Sequence, residues 1–326
     1  MRRLIVRRET WPIRGSFVIS RGAKSVAEVV LVELREEHRR GRGECVPYPR
    51  YGESPGQAMA QIEGLRHELE HGLGRAELQQ ALPPGAARNA LDCALWDLEA
   101  KRTGRRAWEL AGVPAPGSLV TAFTLSLDAP EAMAREASAQ RQRPLLKLKL
   151  GGAEDLERVR AVRQAAPRSR LIVDANEAWT PETLAELMPE MAALGVALIE
   201  QPLPAGADQA LAESEWPVPV CADESCHDRS GVAELAAKYD YLNIKLDKCG
   251  GLTEALGLAR AGQELGLGLM VGCMIGTSLA MAPAMMLGAA AEFVDLDGPL
   301  LLARDRRPGL RFAGSTIEPP PAALWG

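Results

Sequence analysis

The sequence predicts a two-domain α/β protein: an N-terminal α+β unit followed by a modified (β/α)7β barrel of the TIM type. Three observations carry this. Through the second two-thirds of the chain, apolar runs of 4–6 residues alternate with stretches of helical periodicity, the signature of a parallel sheet closed by crossover helices. Five of those runs end on a charge: Lys149 after LLKL, Asp174 after LIV, Glu200 after ALI, Asp223 after VCA and Lys245 after LNI. The first 55 residues instead hold the alternating runs RRLIVRRE and AEVVLVEL, which suit an antiparallel sheet with one wet face.

The elements follow in order. Between the first two runs lies SFVISRGAKS, a glycine-bearing loop, and after them comes GECVPYPRYGES, rich in Gly, Pro and Tyr. Helical patterns cover 57–72, 75–81 and 86–103, the last carrying an apolar stripe and a glycine stop at Gly104. PAPG at 114–117 is the linker, so the first domain is read as 1–115 and the barrel as 116–304. Strands are expected near 119–125, 145–150, 171–175, 196–200, 218–222, 241–245, 267–272 and 292–296. Helices are expected between them, near 130–141, 154–166, 182–194, 207–214, 230–238, 252–265 and 277–290. That is one helix short of a complete (β/α)8 barrel. The proline-rich stretch 305–326 reads as a tail returning to the first domain.

Composition excludes several classes. A net charge of −5 gives no reason to expect nucleic acid. Six cysteines without a CxxC pair read as reduced thiols in a cytoplasmic protein. The basic start, MRRLIVRRETWP, has no apolar h-region behind it, and no run reaches the roughly 18 apolar residues of a membrane span. Four histidines disfavour a zinc site built on imidazole.

The charges at strand ends carry the chemistry. Asp174, Glu200 and Asp223 are separated by 26 and 23 residues, one βα unit each, so they fall at the C-terminal ends of adjacent strands. Three carboxylates there make a cage for one hard cation such as Mg2+, without which they would repel one another. Glu224 is a fourth acid beside them. Lys147 and Lys149, two apart on one strand, point to the same side, and Lys245 stands across the barrel mouth. A lysine buried beside a cation and a second lysine is expected to fall from about 10.4 to about 7–8, where an amine acts as a base. One base on each face of a substrate carbon is what a 1,1-proton transfer requires, with the cation holding the ene-diolate charge. Lys248 is expected at the barrel rim. Asp295 and Asp297, in FVDLDGPL, share a face and suit an organic ammonium on the substrate.

The set K-x-K, Asp, Glu, Asp, Lys on successive strands resembles the enolase superfamily, whose lysine or histidine base beside Mg2+ is an established pattern. A strand-6 lysine with no histidine near strand 7 is similar to its muconate lactonizing subgroup, as are AARNALDCALWDLEAKRTG, KLKLGG, VDANEAW, IEQPLP, ADES and NIKLDKCGGLTEAL. DLDGP resembles the dipeptide epimerases within that subgroup, where such a pair holds a dipeptide's α-ammonium. SFVISRGAKSVAEVV and GECVPYPRYGES look like the loops of the branch acting on alanyl-glutamate. The resemblance implies that the first domain caps the barrel and that L-Ala-D-Glu and L-Ala-L-Glu are interconverted in murein peptide recycling. It also implies one Mg2+ per subunit and a small dipeptide partner, with a homo-oligomer allowed. Arg21, in the capping loop, is then expected to take the Glu side chain, with Lys24 and Arg50 as neighbouring candidates. Thr124, Tyr51, Cys273 and Met274 are candidate substrate contacts, the last two in GCMIGTS, which has no ionisable partner and meets substrate through backbone.

Three other readings use the same residues. Cycloisomerisation or o-succinylbenzoate synthesis would employ the same lysine pair, but leaves Asp295 and Asp297 without a task. A Schiff-base barrel would make Lys149 or Lys245 a nucleophile, resistant to EDTA and trapped by borohydride. A silent ligand-binding barrel has no use for the intact pair Lys149 and Lys245.

Overall fold

A computed structural model describes residues 2–326. The N-terminal sheet is antiparallel, in the order β1 (Arg2–Ile19), β2 (Gly22–Glu36), β3 (Arg39–Cys45). The third strand, RRGRGEC, has none of the apolar alternation that marks the first two. Its glycines explain it. A Cβ at Gly43 would lie 2.0 Å from the Ala90 carbonyl oxygen, and one at Gly41 would lie 2.3 Å from that of Ala94. The strand is bare so that a helix can pack directly on its backbone. The helices here are α1 (Pro55–Gly64), α2 (Arg66–Glu70), α3 (Arg75–Ala81), α4 (Ala86–Thr103) and α5 (Ala107–Ala111). The single pattern at 57–72 is therefore two helices, and α4 is the one on β3. It ends where Gly104 turns left-handed at φ 73.

The run read as one strand at 119–125 is divided. β4 (Leu119–Val120) pairs outside the barrel, and β5 (Phe123–Leu125) opens it. Then follow α6 (Pro130–Ala139), β6 (Leu145–Lys149), α7 (Asp155–Ala165), β7 (Arg170–Asp174), α8 (Pro181–Ala193), β8 (Val196–Glu200) and β9 (Val220–Ala222). Next come α9 (Val232–Leu235), β10 (Tyr241–Ile244), α10 (Leu246–Cys249), α11 (Leu252–Glu264), β11 (Gly268–Val271), α12 (Ser278–Ala284), β12 (Phe293–Val294) and α13 (Gly298–Leu301). A 3-10 turn at Gln209–Glu213 replaces the helix expected at 207–214. The eight strands β5 to β12 run parallel in sequence order, and the Ala122 N–H donates to the Val294 carbonyl at 2.7 Å, closing the seam. The tail adds β13 (Phe312–Ala313) and β14 (Thr316–Ile317), and β14 pairs with β4. Beyond it Trp325 is buried, its Nε1–H donating to the Cys93 carbonyl of α4.

Strand periodicity puts the site in place. Leu145, Ile172, Leu198, Cys221, Met270 and Phe293 pack together as a plug inside the barrel. Two residues further along their strands stand Lys147, Asp174, Glu200, Asp223, Gly272 and Asp295, on the same inward face. The apolar plug keeps water from below, and every polar group of the site sits on its upper surface. Among the described residues no helix is long and apolar enough to cross a membrane, and all six cysteines are free.

Candidate active site

Asp174, Glu200 and Asp223 end β7, β8 and the short run after β9, all buried, with one carboxylate oxygen from each lying within 4.8 Å of the others. Lys147 Nζ lies 2.6 Å from Glu200 Oε2, 3.2 Å from Asp174 and 2.8 Å from Asp295. Lys149 Nζ contacts Asp174 at 2.5 Å. From the other side Lys245 Nζ contacts Asp223 at 2.6 Å. Strands β6 and β10 are four apart in the eight-stranded order, so Lys149 and Lys245 face each other across the acids.

The crowding shows in the acids' proton affinities. Burial and Asp174 push the Glu200 carboxyl up to about 7, against the pull of Lys147. For Asp174, Lys149 and Lys147 overcome burial and hold it at about 2, and Lys245 and Lys248 keep Asp223 well below the carboxylate range. Lys245 runs opposite to the expected depression: burial lowers it, but Asp223 and Glu200 outweigh burial and raise it. Lys147 is raised likewise by Asp295 and Glu200. The depression expected for a base therefore needs a positive charge to offset these acids.

The residues fit a hard divalent cation. The donors are three carboxylates with no softer atom among them. Glu200 Oε2, although 2.6 Å from Lys147, is off a hydrogen-bonding direction and is left unsatisfied. Glu200 Oε1 accepts from the Asn243 side chain at 2.7 Å, and Asp174 Oδ1 from the Asn176 N–H at 2.9 Å. Neither asparagine was read from sequence. Asn243, two before Lys245, shares its inward face, and that spacing was signal enough.

Around the acids opens a cavity of about 850 Å³, lined by Arg21, Lys24, Tyr48, Arg50 and Tyr51 from the N-terminal domain and by Thr124, Cys273, Met274, Asp295 and Asp297 from the barrel. Asp297 accepts from the Thr124 N–H at 2.7 Å, and burial with Asp295 beside it pushes its carboxyl up to about 7. Thr124 Oγ1 donates to Asp295 at 3.5 Å. Tyr51 meets His227 edge-on at 5.1 Å. Lys248 is not a rim residue. The short helix α10 turns it inward, 3% exposed, where its Nζ holds Asp223 at 2.6 Å.

The capping-loop cations are placed unequally. Arg21 donates to Glu224 at 2.7 Å, to Glu177 at 3.1 Å and to the Asn176 carbonyl at 2.9 Å. Arg50 makes two bonds to Glu177, at 2.7 and 2.6 Å. Both are held by carboxylates of the protein. Lys24 is exposed to the cavity and rests on the Tyr48 ring, 4.4 Å from its centre. Glu177, at φ 67, joins the loops to the barrel and was not picked out by the sequence.

A parallel barrel with carboxylates on three successive strands, flanked by opposed lysines and covered by an α+β domain, defines a class: the chain belongs to the enolase superfamily. Residues 1–112 match the mandelate racemase / muconate lactonizing enzyme N-terminal domain, and residues 131–315 match the enolase C-terminal domain-like family. Over 320 residues it is 51% identical to the L-Ala-D/L-Glu epimerase of Escherichia coli (strain K12), covering 98% of this chain and 100% of that one. Over 300 residues it is 44% identical to an N-acetyl-D-glutamate racemase of Pseudoalteromonas sp, covering 91% and 95%. Among solved structures it is similar to an enolase family member from Agrobacterium tumefaciens with homology to dipeptide epimerases, holding sodium and L-Ala-L-Glu. The TM-score is 0.98, with 52% identity and 100% of both chains covered. A dipeptide epimerase from Methylococcus capsulatus, complexed with Mg and L-Arg-D-Lys, gives a TM-score of 0.90 at 31% identity, covering 97% and 96%.

Proposed function

We infer that this chain is a dipeptide epimerase of the L-Ala-D/L-Glu type, an isomerase that inverts the α-carbon of the C-terminal residue. The observation that carries the reading is the pair Lys149 and Lys245, opposed across three buried carboxylates. One lysine, as the free amine, takes the α-proton from one face. The electron pair passes into the substrate carboxylate as an ene-diolate, and the opposite ammonium returns a proton to the other face. One Mg2+ per subunit, held by Asp174, Glu200 and Asp223, would supply the positive charge that this dianion needs. Lys147, between those acids and Asp295, supports the substrate carboxylate. Asp295 and Asp297 take the α-ammonium beside Thr124, and Tyr51, Cys273 and Met274 complete the cavity wall.

For the Glu side chain the reading favours Lys24 over Arg21. Arg21 already holds Glu224 and Glu177, whereas Lys24 rests on the face of Tyr48 and, among the described residues, pairs with no carboxylate. Arg21 and Arg50 then hold the capping loops in place. The division into a capping domain at 1–115, a barrel at 116–304 and a returning tail at 305–326 belongs to the same reading, as does a cytoplasmic place in murein peptide recycling, with a homo-oligomer allowed.

Incubating L-Ala-L-Glu with the enzyme and Mg2+ in D2O tests the reaction. Deuterium should enter the Cα of the Glu residue as L-Ala-D-Glu forms. Turnover without label would end the two-base reading, and full turnover in excess EDTA would end the metal's part in it.

One observation favours a second reading, racemisation of an N-acyl-glutamate. Asp297, with its carboxyl near 7, is an acid able to donate to an acyl oxygen when protonated and to hold an ammonium when ionised. The two readings have opposite signs. If Asp297 holds an ammonium, kcat/KM for L-Ala-L-Glu rises as pH climbs through about 7; if it donates to an acyl oxygen, kcat/KM for N-acetylglutamate falls over the same range. A larger kcat/KM for N-acetylglutamate than for L-Ala-L-Glu, with that fall, would favour the N-acyl substrate.

A further inference from the structure

One buried side chain between the strand ends of Glu200 and Asp223 reaches neither the cavity nor solvent. Gln201 is fully buried and its backbone lies at φ 37, a left-handed conformation that a residue with a Cβ keeps only where its surroundings over-determine it. The amide is what holds it. Gln201 Oε1 accepts from the Asp223 N–H at 2.9 Å and from the Ser225 N–H at 3.0 Å. Its Nε2 has three acceptors for two N–H groups: the Leu203 carbonyl at 2.9 Å, Ser225 Oγ at 3.0 Å and the Tyr239 hydroxyl at 2.8 Å. Its own N–H donates to the Cys221 carbonyl at 2.9 Å.

The orientation is set from behind. Ser225 Oγ donates to Asp208 at 2.7 Å and the Tyr239 hydroxyl donates to the same carboxylate at 2.6 Å. Each hydroxyl has thereby used its proton and turns a lone pair to Gln201 Nε2. Asp208 is buried, but hydrogen bonds from Lys238, Tyr239 and Ser225 hold it ionised, below the usual carboxylate range. The polarity of the chain therefore leaves one way round for the amide, with its oxygen on the Asp223 backbone. A carboxamide of this length accepts on one prong and donates on the other, which no carboxylate or hydroxyl does.

We propose that Gln201 is a positioning residue for the metal site, setting the separation of Glu200 from Asp223. The same bond governs Lys245, because Asp223 holds the Lys245 ammonium at 2.6 Å. A shift of the Asp223 backbone moves an oxygen donor and a base together. The inference rests on the metal reading above.

The test is Mn2+ binding to the metal-stripped full chain, read from the EPR signal of the free ion, with circular dichroism to confirm folding. Gln201→Leu should bind Mn2+ about 10–100-fold more weakly, the range for residues that orient metal ligands from behind. Gln201→Glu keeps an acceptor for Asp223 and Ser225 and should recover part of that loss. Gln201→Asn shortens the side chain by one methylene, draws its oxygen away from the Asp223 N–H and should weaken binding about threefold, as one lost hydrogen bond does; it decides the matter if Gln201→Leu does not fold. Affinities within twofold of the parent in the folded variants would overturn the assignment. A parent chain that binds no Mn2+ would overturn the metal site itself.

Discussion

At the scale of single residues the proposed function separates the site into groups that bind and groups that move protons. On that reading Lys149 and Lys245 are each needed in both directions, since a proton taken from one face must be replaced from the other. Lys245→Ala should abolish epimerisation of both dipeptides, a loss of at least about 10²–10⁴-fold for a lost general acid–base group. Solvent exchange of the α-proton should survive for one epimer only. Normal epimerisation by this variant would defeat the assignment. The capping-loop cations give a second test. Lys24→Met should lose about 1.5–3 kcal/mol of kcat/KM on L-Ala-L-Glu, the scale of a hydrogen bond to a charged group, and little on L-Ala-L-Met. Arg21→Met frees Glu224 and leaves Glu177 to Arg50 alone, so its loss should fall on both substrates alike. The reverse pattern would return the Glu side chain to Arg21.

At the scale of elements, the cap is built by close approach. Strand β3 and helix α4 touch through Gly41 and Gly43, and a methyl group at 43 would meet the backbone of Ala90, which cannot rotate aside. Gly43→Ala should destabilise the fold by about 1–3 kcal/mol or more, the cost of overpacking a fitted contact, and guanidinium unfolding followed by circular dichroism measures it. An unchanged midpoint would show that β3 and α4 can separate freely. The same contact explains why β3 escapes a sequence reading. Its sequence answers to the helix above it rather than to strand propensity. The split of 119–125 has a similar origin, because β4 pairs with the tail strand β14, nearly 200 residues away.

At the scale of the whole molecule, two linked equilibria should be measurable. A cation that binds the folded site and not the unfolded chain stabilises the fold by about 2.7 kcal/mol at a hundred times its dissociation constant. Thermal midpoints should therefore rise with Mg2+ and fall with EDTA, and Asp223→Asn should blunt the response. A midpoint indifferent to Mg2+ would contradict the cage. The second equilibrium lies between the domains. Asp247 of α10 accepts from the Val46 N–H at 3.0 Å and from Asn89 Nδ2 at 2.8 Å, and burial pushes its carboxyl up to about 7. A raised carboxyl stabilises fully below its unfolded value near 4, and this contribution is lost as pH rises through about 7. Three pH units correspond to roughly 4 kcal/mol at most. Asp247→Asn should thus flatten stability between about pH 4 and 7 relative to the parent. Equal pH slopes in the two proteins would mean that Asp247 does not titrate in that window.

The sequence by itself determined the barrel, its strand order and the identity of the acids and lysines. All of these are local facts: period-two alternation fixes which side chains point inward, and one βα unit between charges fixes that they are neighbours. Asp174, Glu200, Asp223, Lys149 and Lys245 were legible because each ends its own apolar run, and Lys147 because it stands two residues before Lys149 on the same strand. What only the tertiary structure decided is everything set by partners distant in sequence. Lys248 turns inward to Asp223, Arg21 is held by Glu224 from 203 residues away, and Lys24 is left facing the cavity. Gln201 likewise acquires its task only when Asp208 and Tyr239 arrive behind it. A charge in a sequence states what chemistry is available, but whether it faces substrate depends on which opposite charge reaches it first in space. That is settled by packing, where burial makes an unpaired charge too costly to leave alone.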